Sequence, residues 1–156
     1  MKNRGQEMLE PIYLDLHIHT SEDADRLNTN FDVAKLVKKI LDYNGNSKSL
    51  ISLTDHNTIN KKAYEKIIGI DDNINVILGV ELHIRNYRES EPYHAHIFFK
   101  LDNIISEIDN INSILNVLYP KKMVSGSDDI PSLEDIVKKL DAYEFIILPH
   151  GGQNHK

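Results

Sequence analysis

The sequence predicts an α/β fold in which polar side chains at the ends of strands form a metal site. Segments of strand length alternate with segments of helical periodicity, and several strand segments end at a histidine or an acidic residue. With 156 residues, 40% of them hydrophobic, the chain is long enough for one domain with its own core. Repeated strand–helix units with polar strand ends are typical of a barrel that carries its site at the carboxyl rim.

The composition limits the chemistry of such a site. The chain has no cysteine, which excludes disulfides and thiolate ligands, so nitrogen and oxygen atoms must hold any metal. A formal net charge of −6 argues against a standalone nucleic-acid clamp, although bound divalent cations would reverse the local sign and admit an anionic substrate. Since no apolar run reaches transmembrane length, we expect a cytoplasmic protein with no membrane partner.

The first strand is expected over residues 13–19. Its apolar residues alternate with Asp15, His17 and His19, so these three polar side chains share one face of the strand. Two neighbouring imidazoles on a strand are a natural half of a metal site. The ordinary alternative to a metal site is that His17 and His19 are simply exposed histidines on a strand. A polar loop over 20–29 follows this strand.

Periodicity and turn residues predict the remaining elements. Helices are expected over 31–43, 57–68, 104–118 and 133–140, and strands over 50–53, 75–82, 95–101 and 145–148, with the strands at 75–82 and 95–101 paired. Asn44-Gly45-Asn46 should end the first helix, and Asn57 or Thr58 should cap the second. Ser132 with Asp135 is the signal of a capping box.

Later strand segments carry the other candidate ligands. Asp55-His56 follows the second strand, Glu81 closes a buried apolar run, and His150 ends the last strand. A buried glutamate charge is costly unless a metal or another cation lies nearby. Within His94-Ala95-His96 we favour His96 as the ligand and expect His94 either at the rim or behind a ligand, where it would contact the ligand and not the metal. A capping aspartate beside a solvated His56, and a surface turn at His150, are the ordinary alternatives.

These motifs together resemble the successive signatures of the PHP (polymerase and histidinol phosphatase) domain family. The matching segments are Asp15-Leu-His-Ile-His-Thr, Leu53-Thr-Asp-His56, Gly79-Val-Glu81, His96-Ile-Phe-Phe and Pro149-His-Gly-Gly152. The resemblance implies a distorted (β/α)7 TIM-like barrel with two or three divalent ions (Mn²⁺, Zn²⁺ or Fe²⁺) at its rim. The ligands it implies by motif are His17, His19, Asp23, His56, Glu81, His96 and His150, with Asp25 as an alternative to Asp23.

The resemblance also implies an activity, the metal-assisted hydrolysis of a phosphate ester in a phosphorylated small molecule or a nucleic acid. Asp55 and His56 are the candidate catalytic residues, because Asp55 could orient His56 or accept a proton. Arg85 and Arg88 could bind the phosphate, but solvated loop charges are the favoured interpretation of both. The roles of His83 and His155 are left open.

One departure from the family pattern concerns its closing Asp-x-His, which does not occur after His150. We therefore expect residues 1–156 to be a PHP domain that lacks its last strands, so that the barrel is incomplete. The last residues are similar to PHP domains fused to an SMC-like or AAA-type ATPase, which would then be a C-terminal partner. A degenerate PHP domain that binds or regulates a partner, an amidohydrolase-type metal hydrolase, and a structural domain with incidental histidines are the alternatives.

Overall fold

The computed structural model describes residues 12–23, 26–122, 124 and 129–150. Helices and strands mix along the chain, so the predicted α/β class is confirmed. None of the described helices is long and apolar enough to cross a membrane. In chain order the elements are β1 (Tyr13–Ile18), α1 (Val33–Asn44), β2 (Ser49–Leu53), α2 (Lys61–Ile67), β3 (Ile74–Val76), β4 (Leu78–Ile84), β5 (Tyr93–Lys100), α3 (Ile104–Leu118), α4 (Leu133–Lys139) and β6 (Glu144–Pro149).

The described strands form two three-stranded sheets and no closed barrel. The order β1-β2-β3 is parallel throughout, whereas β4-β5-β6 is antiparallel throughout. The second sheet departs from the expected strand–helix repeat, because β4 and β5 follow each other with no helix between them. The pairing of these two strands was predicted correctly. The (β/α)7 barrel remains a prediction.

The single strand expected over 75–82 is wrong, because the chain passes from one sheet to the other at Ile77. The Ile77 N–H still donates to the Ile51 carbonyl of β2 at 3.0 Å, and β4 begins at the next residue. The break could not be predicted from the sequence, because Val76, Ile77 and Leu78 form one continuous apolar run.

A fully buried tyrosine on α2 ties the end of β2 to the start of β4. The Tyr64 hydroxyl accepts from the backbone N–H of Leu53 at 3.1 Å and from that of Gly79 at 3.0 Å, and it donates to the Leu53 carbonyl at 2.7 Å. A Cβ atom at Gly79 would lie only 2.3 Å from Ser52 Oγ, so the close approach of β4 to β2 requires glycine there.

The helix ends follow the predicted capping chemistry with one exception. Gly45 adopts the left-handed conformation that ends α1, and Ser132 and Asp135 form both halves of the capping box on α4. The predicted cap of α2 is wrong: Asn60 fills that role, with its side chain accepting from the Ala63 N–H. Asn57 instead forms part of the turn after β2, where it takes a positive φ of 53°.

Most of the buried apolar side chains form one cluster, to which all four described helices contribute. In β6, Phe145 and Ile147 are partly buried and pack against this cluster, whereas Ile146 and Leu148 are exposed. The strand therefore turns one face to the core, as its alternation requires. Its end at Pro149 brings the next residue, His150, towards the end of β1.

Candidate metal centre

A buried carboxylate lies at the middle of a group of histidines. Glu81, in β4, is only 2% exposed. Its Oε2 atom lies 3.0 Å from His17 Nε2, at the end of β1, and 3.1 Å from His19 Nε2, just beyond it. Its Oε1 atom faces the other way, 2.5 Å from His94 Nδ1 and 3.8 Å from His56 Nδ1. One carboxylate thus contacts imidazoles from three separate segments of the chain.

Two more histidines extend the group around His17. His96 Nε2 lies 3.5 Å from Glu81 Oε2, and its ring centroid lies 4.4 Å from that of His17. His150 Nε2 lies 3.2 Å from His17 Nδ1. Three overlapping sets have donor atoms within 4.8 Å of one another and can each hold a metal ion: His17, His19 and Glu81; His56, Glu81 and His94; and His17, His96 and His150. We call these seven residues the Glu81 cluster.

Backbone pairing explains why these residues meet. Just beyond β2, the Glu81 N–H donates to the Asp55 carbonyl at 3.1 Å and the Asn57 N–H donates to the Glu81 carbonyl at 2.8 Å, which holds His56 beside Glu81. Across the β4–β5 hairpin, Glu81 is opposite His96. The sequence had indicated that Glu81 and His96 lie at strand ends. In the structure both lie within strands.

Six of the seven predicted ligands belong to the Glu81 cluster: His17, His19, His56, Glu81, His96 and His150. Asp23, the seventh, is exposed and lies apart from these donor sets, at the wall of two cavities that His56 also lines. Its alternative Asp25, like His155, lies outside the described residues. The role of each residue as a ligand stays a prediction.

His94 was expected at the rim or in contact with a metal ligand, and its Nδ1 atom makes a 2.5 Å contact to the Glu81 carboxylate. Whether His94 itself binds metal stays open. The hairpin register pairs His94 with His83, and the two rings lie 4.7 Å apart between centroids. An antiparallel pairing of β4 with β5 was the signal that could have placed His94 beside Glu81.

Asp55, a candidate catalytic residue, holds the segment that follows β1. Its buried carboxylate accepts from the Thr20 N–H at 2.7 Å, the Thr20 hydroxyl at 2.6 Å and the Ser21 N–H at 2.9 Å. Burial raises the pKa of Asp55, and these hydrogen bonds oppose that rise. Within the described part of the chain no hydrogen bond joins this carboxylate to His56. Its direct effect is to position the polypeptide next to His19.

The electrostatics of the cluster favour a neutral imidazole at His17 and His56 beside an ionised Glu81 carboxylate. Burial lowers the pKa of His56 to about 4, although the charge of Glu81 opposes this shift. Burial also lowers the pKa of His17. For Glu81 itself, burial acts to raise the pKa, but hydrogen bonds from His19 and the other nearby rings outweigh it, so the pKa is lowered. Neutral imidazole and carboxylate are the protonation states that bind metal ions.

The cluster also contains ring nitrogens that lack a hydrogen-bond partner. Within the described part of the chain, His19 Nδ1, His96 Nε2 and His150 Nδ1 are buried and make no hydrogen bond, although His96 Nε2 lies 3.5 Å from Glu81 Oε2. Buried polar atoms are rarely left unsatisfied, and a metal ion or its coordinated water would satisfy them. Imidazole nitrogen and carboxylate oxygen suit Zn²⁺, Mn²⁺ and Fe²⁺. The residues present therefore fit divalent metal ions.

A cavity of about 210 Å³ lies next to the cluster and is lined by His56, His83, His94, Asp23 and Lys122, among others. Lys122 is partly buried there, and its Nζ atom donates to the Asn57 carbonyl at 3.3 Å. Burial lowers the pKa of this ammonium group. The cavity lining thus combines three imidazoles and the Lys122 amine with the carboxylates of Glu22 and Asp23.

Comparisons with known proteins add little to this geometry. No family model matches the chain. No curated protein matches it either. Among solved structures, the chain is similar to a protein of Bifidobacterium adolescentis provisionally assigned as a metal-dependent phosphoesterase, with 13% identity, a TM-score of 0.47, and coverage of 92% of this chain and 68% of that one. Neither the identity nor the TM-score is high enough to assign a function by similarity.

Proposed function

We propose that this protein is a metal-dependent phosphoesterase of the PHP type, in which the Glu81 cluster holds two or three divalent ions. The observation that carries the proposal is the Glu81 carboxylate, buried with five histidine side chains within 3.8 Å of its oxygens. A buried carboxylate surrounded by that many imidazoles, several with unpartnered nitrogens, is better explained by a metal site than by a structural ion pair.

The arrangement of the donor sets supports more than one ion. Glu81 belongs to two of the three sets, one through each carboxylate oxygen, and His17 belongs to two sets as well. A carboxylate shared in this way can bridge two metal ions. When bound, paired divalent ions would neutralise phosphate oxygens and lower the pKa of a coordinated water molecule.

Other residues of the cavity would act on the substrate directly. The Lys122 ammonium group can attract the phosphoryl group, and His83, which lines the same cavity, can donate a hydrogen bond to it. Asp55 would act indirectly, by fixing Thr20 and Ser21 next to His19. Binding, orientation and exclusion of water would thus come from the chain itself.

For the substrate we propose a phosphorylated small molecule or a nucleic acid, and for the fold the distorted (β/α)7 barrel type. The amidohydrolase alternative is less well supported, because it needs a lysine that bridges two metals. Lys122, which lines the cavity next to the cluster, instead donates to the Asn57 carbonyl. The alternative of a degenerate PHP domain that only binds or regulates a partner is also less well supported. Such a domain would have no need for the unpartnered nitrogens of His19, His96 and His150.

The test is a comparison of metal content and activity in the whole chain and two variants. Protein loaded with Mn²⁺, Zn²⁺ or Fe²⁺ should hydrolyse bis(4-nitrophenyl) phosphate or a mononucleotide and should leave an amide substrate intact. Glu81→Gln should lose both bound metal and activity while remaining folded. Glu144→Gln is the matched control, because Glu144 is exposed and pairs with Lys100 on the surface. A folded Glu81→Gln protein with full metal content and activity would contradict the proposal.

A further inference from the structure

A second feature of the molecule, away from the Glu81 cluster, is a buried arginine. Arg85 follows β4 and was interpreted from the sequence as a solvated loop charge, but it is only 4% exposed. Its backbone is fixed on both sides, since its N–H donates to the Pro131 carbonyl at 3.1 Å and its carbonyl accepts from the Leu133 N–H at 2.7 Å. The side chain is therefore held between the loop after β4 and the start of α4.

The guanidinium group of Arg85 is only partly satisfied. Its Nη1 atom donates to the Arg88 carbonyl, whereas Nε and Nη2 are buried and have no hydrogen-bond partner. In the part of the chain that the structure describes, no carboxylate lies within ion-pairing distance of this arginine. An arginine stays charged at any physiological pH, and a buried charge without a partner is costly. Because the guanidinium group is buried, permanently charged and unpaired among the described residues, it favours binding of a negatively charged group from outside the described chain.

The two unsatisfied nitrogens define the shape of that group. Nε and Nη2 share one edge of the planar guanidinium, and their N–H bonds run parallel. This edge matches two oxygens of a single carboxylate or phosphate, the bidentate geometry for which arginine is used in recognition. A single-atom anion would leave one of the two donors unsatisfied.

The space to receive such a group is also present. Arg85 lines a cavity of about 380 Å³ together with Asn86, Tyr87 and Arg88 from the loop, and with residues around the start of α4. The cavity shares no lining residue with either cavity beside the Glu81 cluster.

The two acidic residues at this cavity are engaged elsewhere. Asp135 Oδ2 accepts from the Ser132 N–H and hydroxyl in the capping box, at 3.1 Å and 2.7 Å. Glu134 Oε1 lies 2.6 Å from Lys138 Nζ. Neither carboxylate lies within ion-pairing distance of Arg85.

We propose that Arg85 and this cavity bind an oxyanion, the phosphate or carboxylate group of a small ligand, through Nε and Nη2. The site is separate from the Glu81 cluster and does not require metal. It therefore stands whether or not the proposed phosphoesterase function is correct.

The test uses the whole chain, stripped of metal with a chelator so that no anion can bind through metal ions. The protein is titrated with inorganic phosphate and, separately, with acetate, and the Nε–H resonance of Arg85 is followed by NMR. Saturable shifts of this resonance with phosphate, with acetate or with both support the site, and the ligand that binds more tightly identifies the chemistry. If neither anion produces a saturable shift, the proposal is overturned.

Three variants show whether the binding is at Arg85. Arg85→Lys keeps the charge but removes the paired edge, so it should bind at least about tenfold more weakly by calorimetry. Lys100→Gln removes an exposed cation and should bind as the wild type does. Glu81→Gln should also bind normally, because the site is independent of the cluster. Unchanged affinity in a folded Arg85→Lys protein, or loss of binding in Glu81→Gln, would contradict the proposal. If Arg85→Lys does not fold, the anion titration of the Arg85 Nε–H resonance in the wild-type protein decides whether the site exists.

Discussion

His94 Nδ1 lies 2.5 Å from Glu81 Oε1, the shortest contact in the cluster. Glu81 Oε1 faces His94 and His56, while its other oxygen faces His17 at the end of β1 and His19 just beyond it. The carboxylate therefore separates two groups of nitrogen donors. Such a division is what a carboxylate shared by two metal ions requires, and it makes His94 as central to the proposed site as His17 and His19.

Replacing His94 should therefore weaken metal binding. In His94→Gln we expect affinity for Mn²⁺ or Zn²⁺ to fall by at least about tenfold, since one donor is lost and Glu81 loses its closest contact. Competition with a fluorescent chelator measures the affinity. Tyr93→Phe is a suitable control, because its hydroxyl hydrogen-bonds to Asn86 at the surface. Equal metal affinity in His94→Gln and wild type would return His94 to the outer role expected from the sequence.

A second prediction concerns the amine beside the cluster. In Lys122→Gln we expect KM for a phosphoester to rise about tenfold with a smaller effect on kcat, because a charged contact to the phosphoryl group is lost. The neighbouring Lys121 is exposed, so Lys121→Gln should behave as wild type. Steady-state kinetics at a fixed metal concentration separate the two parameters. If both variants change KM equally, general surface charge and not Lys122 attracts the substrate.

Asp55 provides a third prediction, which separates a structural from a catalytic role. Asp55→Asn should lower the free energy of unfolding by about 1–3 kcal/mol, because an amide cannot accept all three hydrogen bonds from Thr20 and Ser21. Urea unfolding of the metal-free protein measures the loss. Asp42→Asn, at an exposed position, should have a negligible effect. Full stability combined with loss of activity would instead favour the catalytic role that the sequence indicated for Asp55.

The fourth prediction follows from the lowered pKa of His56. In the unfolded chain the group should titrate near 6.5, but in the folded protein its pKa is about 4. Between these values the unfolded state binds a proton that the folded state does not, so acidification favours unfolding. The metal-free protein should therefore lose stability as the pH falls from about 6.5 to about 4. His56→Gln should flatten this part of the stability profile, and an unchanged slope would show that His56 does not cause it.

Local rules recovered most of the helices and the composition of the site. The left-handed Gly45, the capping box at Ser132 and the shared face of His17 and His19 each depend on residues a few positions apart. Six predicted ligands meet because each lies on or just beyond a strand that was recognised from its apolar pattern. These features need no knowledge of the tertiary structure.

The features that the sequence could not provide depend on pairing between distant segments. The break at Ile77 is set by which strand each half pairs with, and the apolar run is the same in either case. The place of His94 follows from the antiparallel register of β4 and β5. The burial of Arg85 follows from the approach of Pro131 and Leu133, about fifty residues along the chain, and so a loop charge was the natural interpretation.

The central claim is that metal ions bind at Glu81, and the most direct measurement is anomalous X-ray scattering from crystals of the protein loaded with Mn²⁺ or Zn²⁺. The account predicts at least two anomalous peaks, each about 2.0–2.3 Å from Glu81 carboxylate oxygens or from histidine nitrogens of the cluster. Metal-loaded crystals with no peak at Glu81, or with these side chains dispersed from one another, would contradict it.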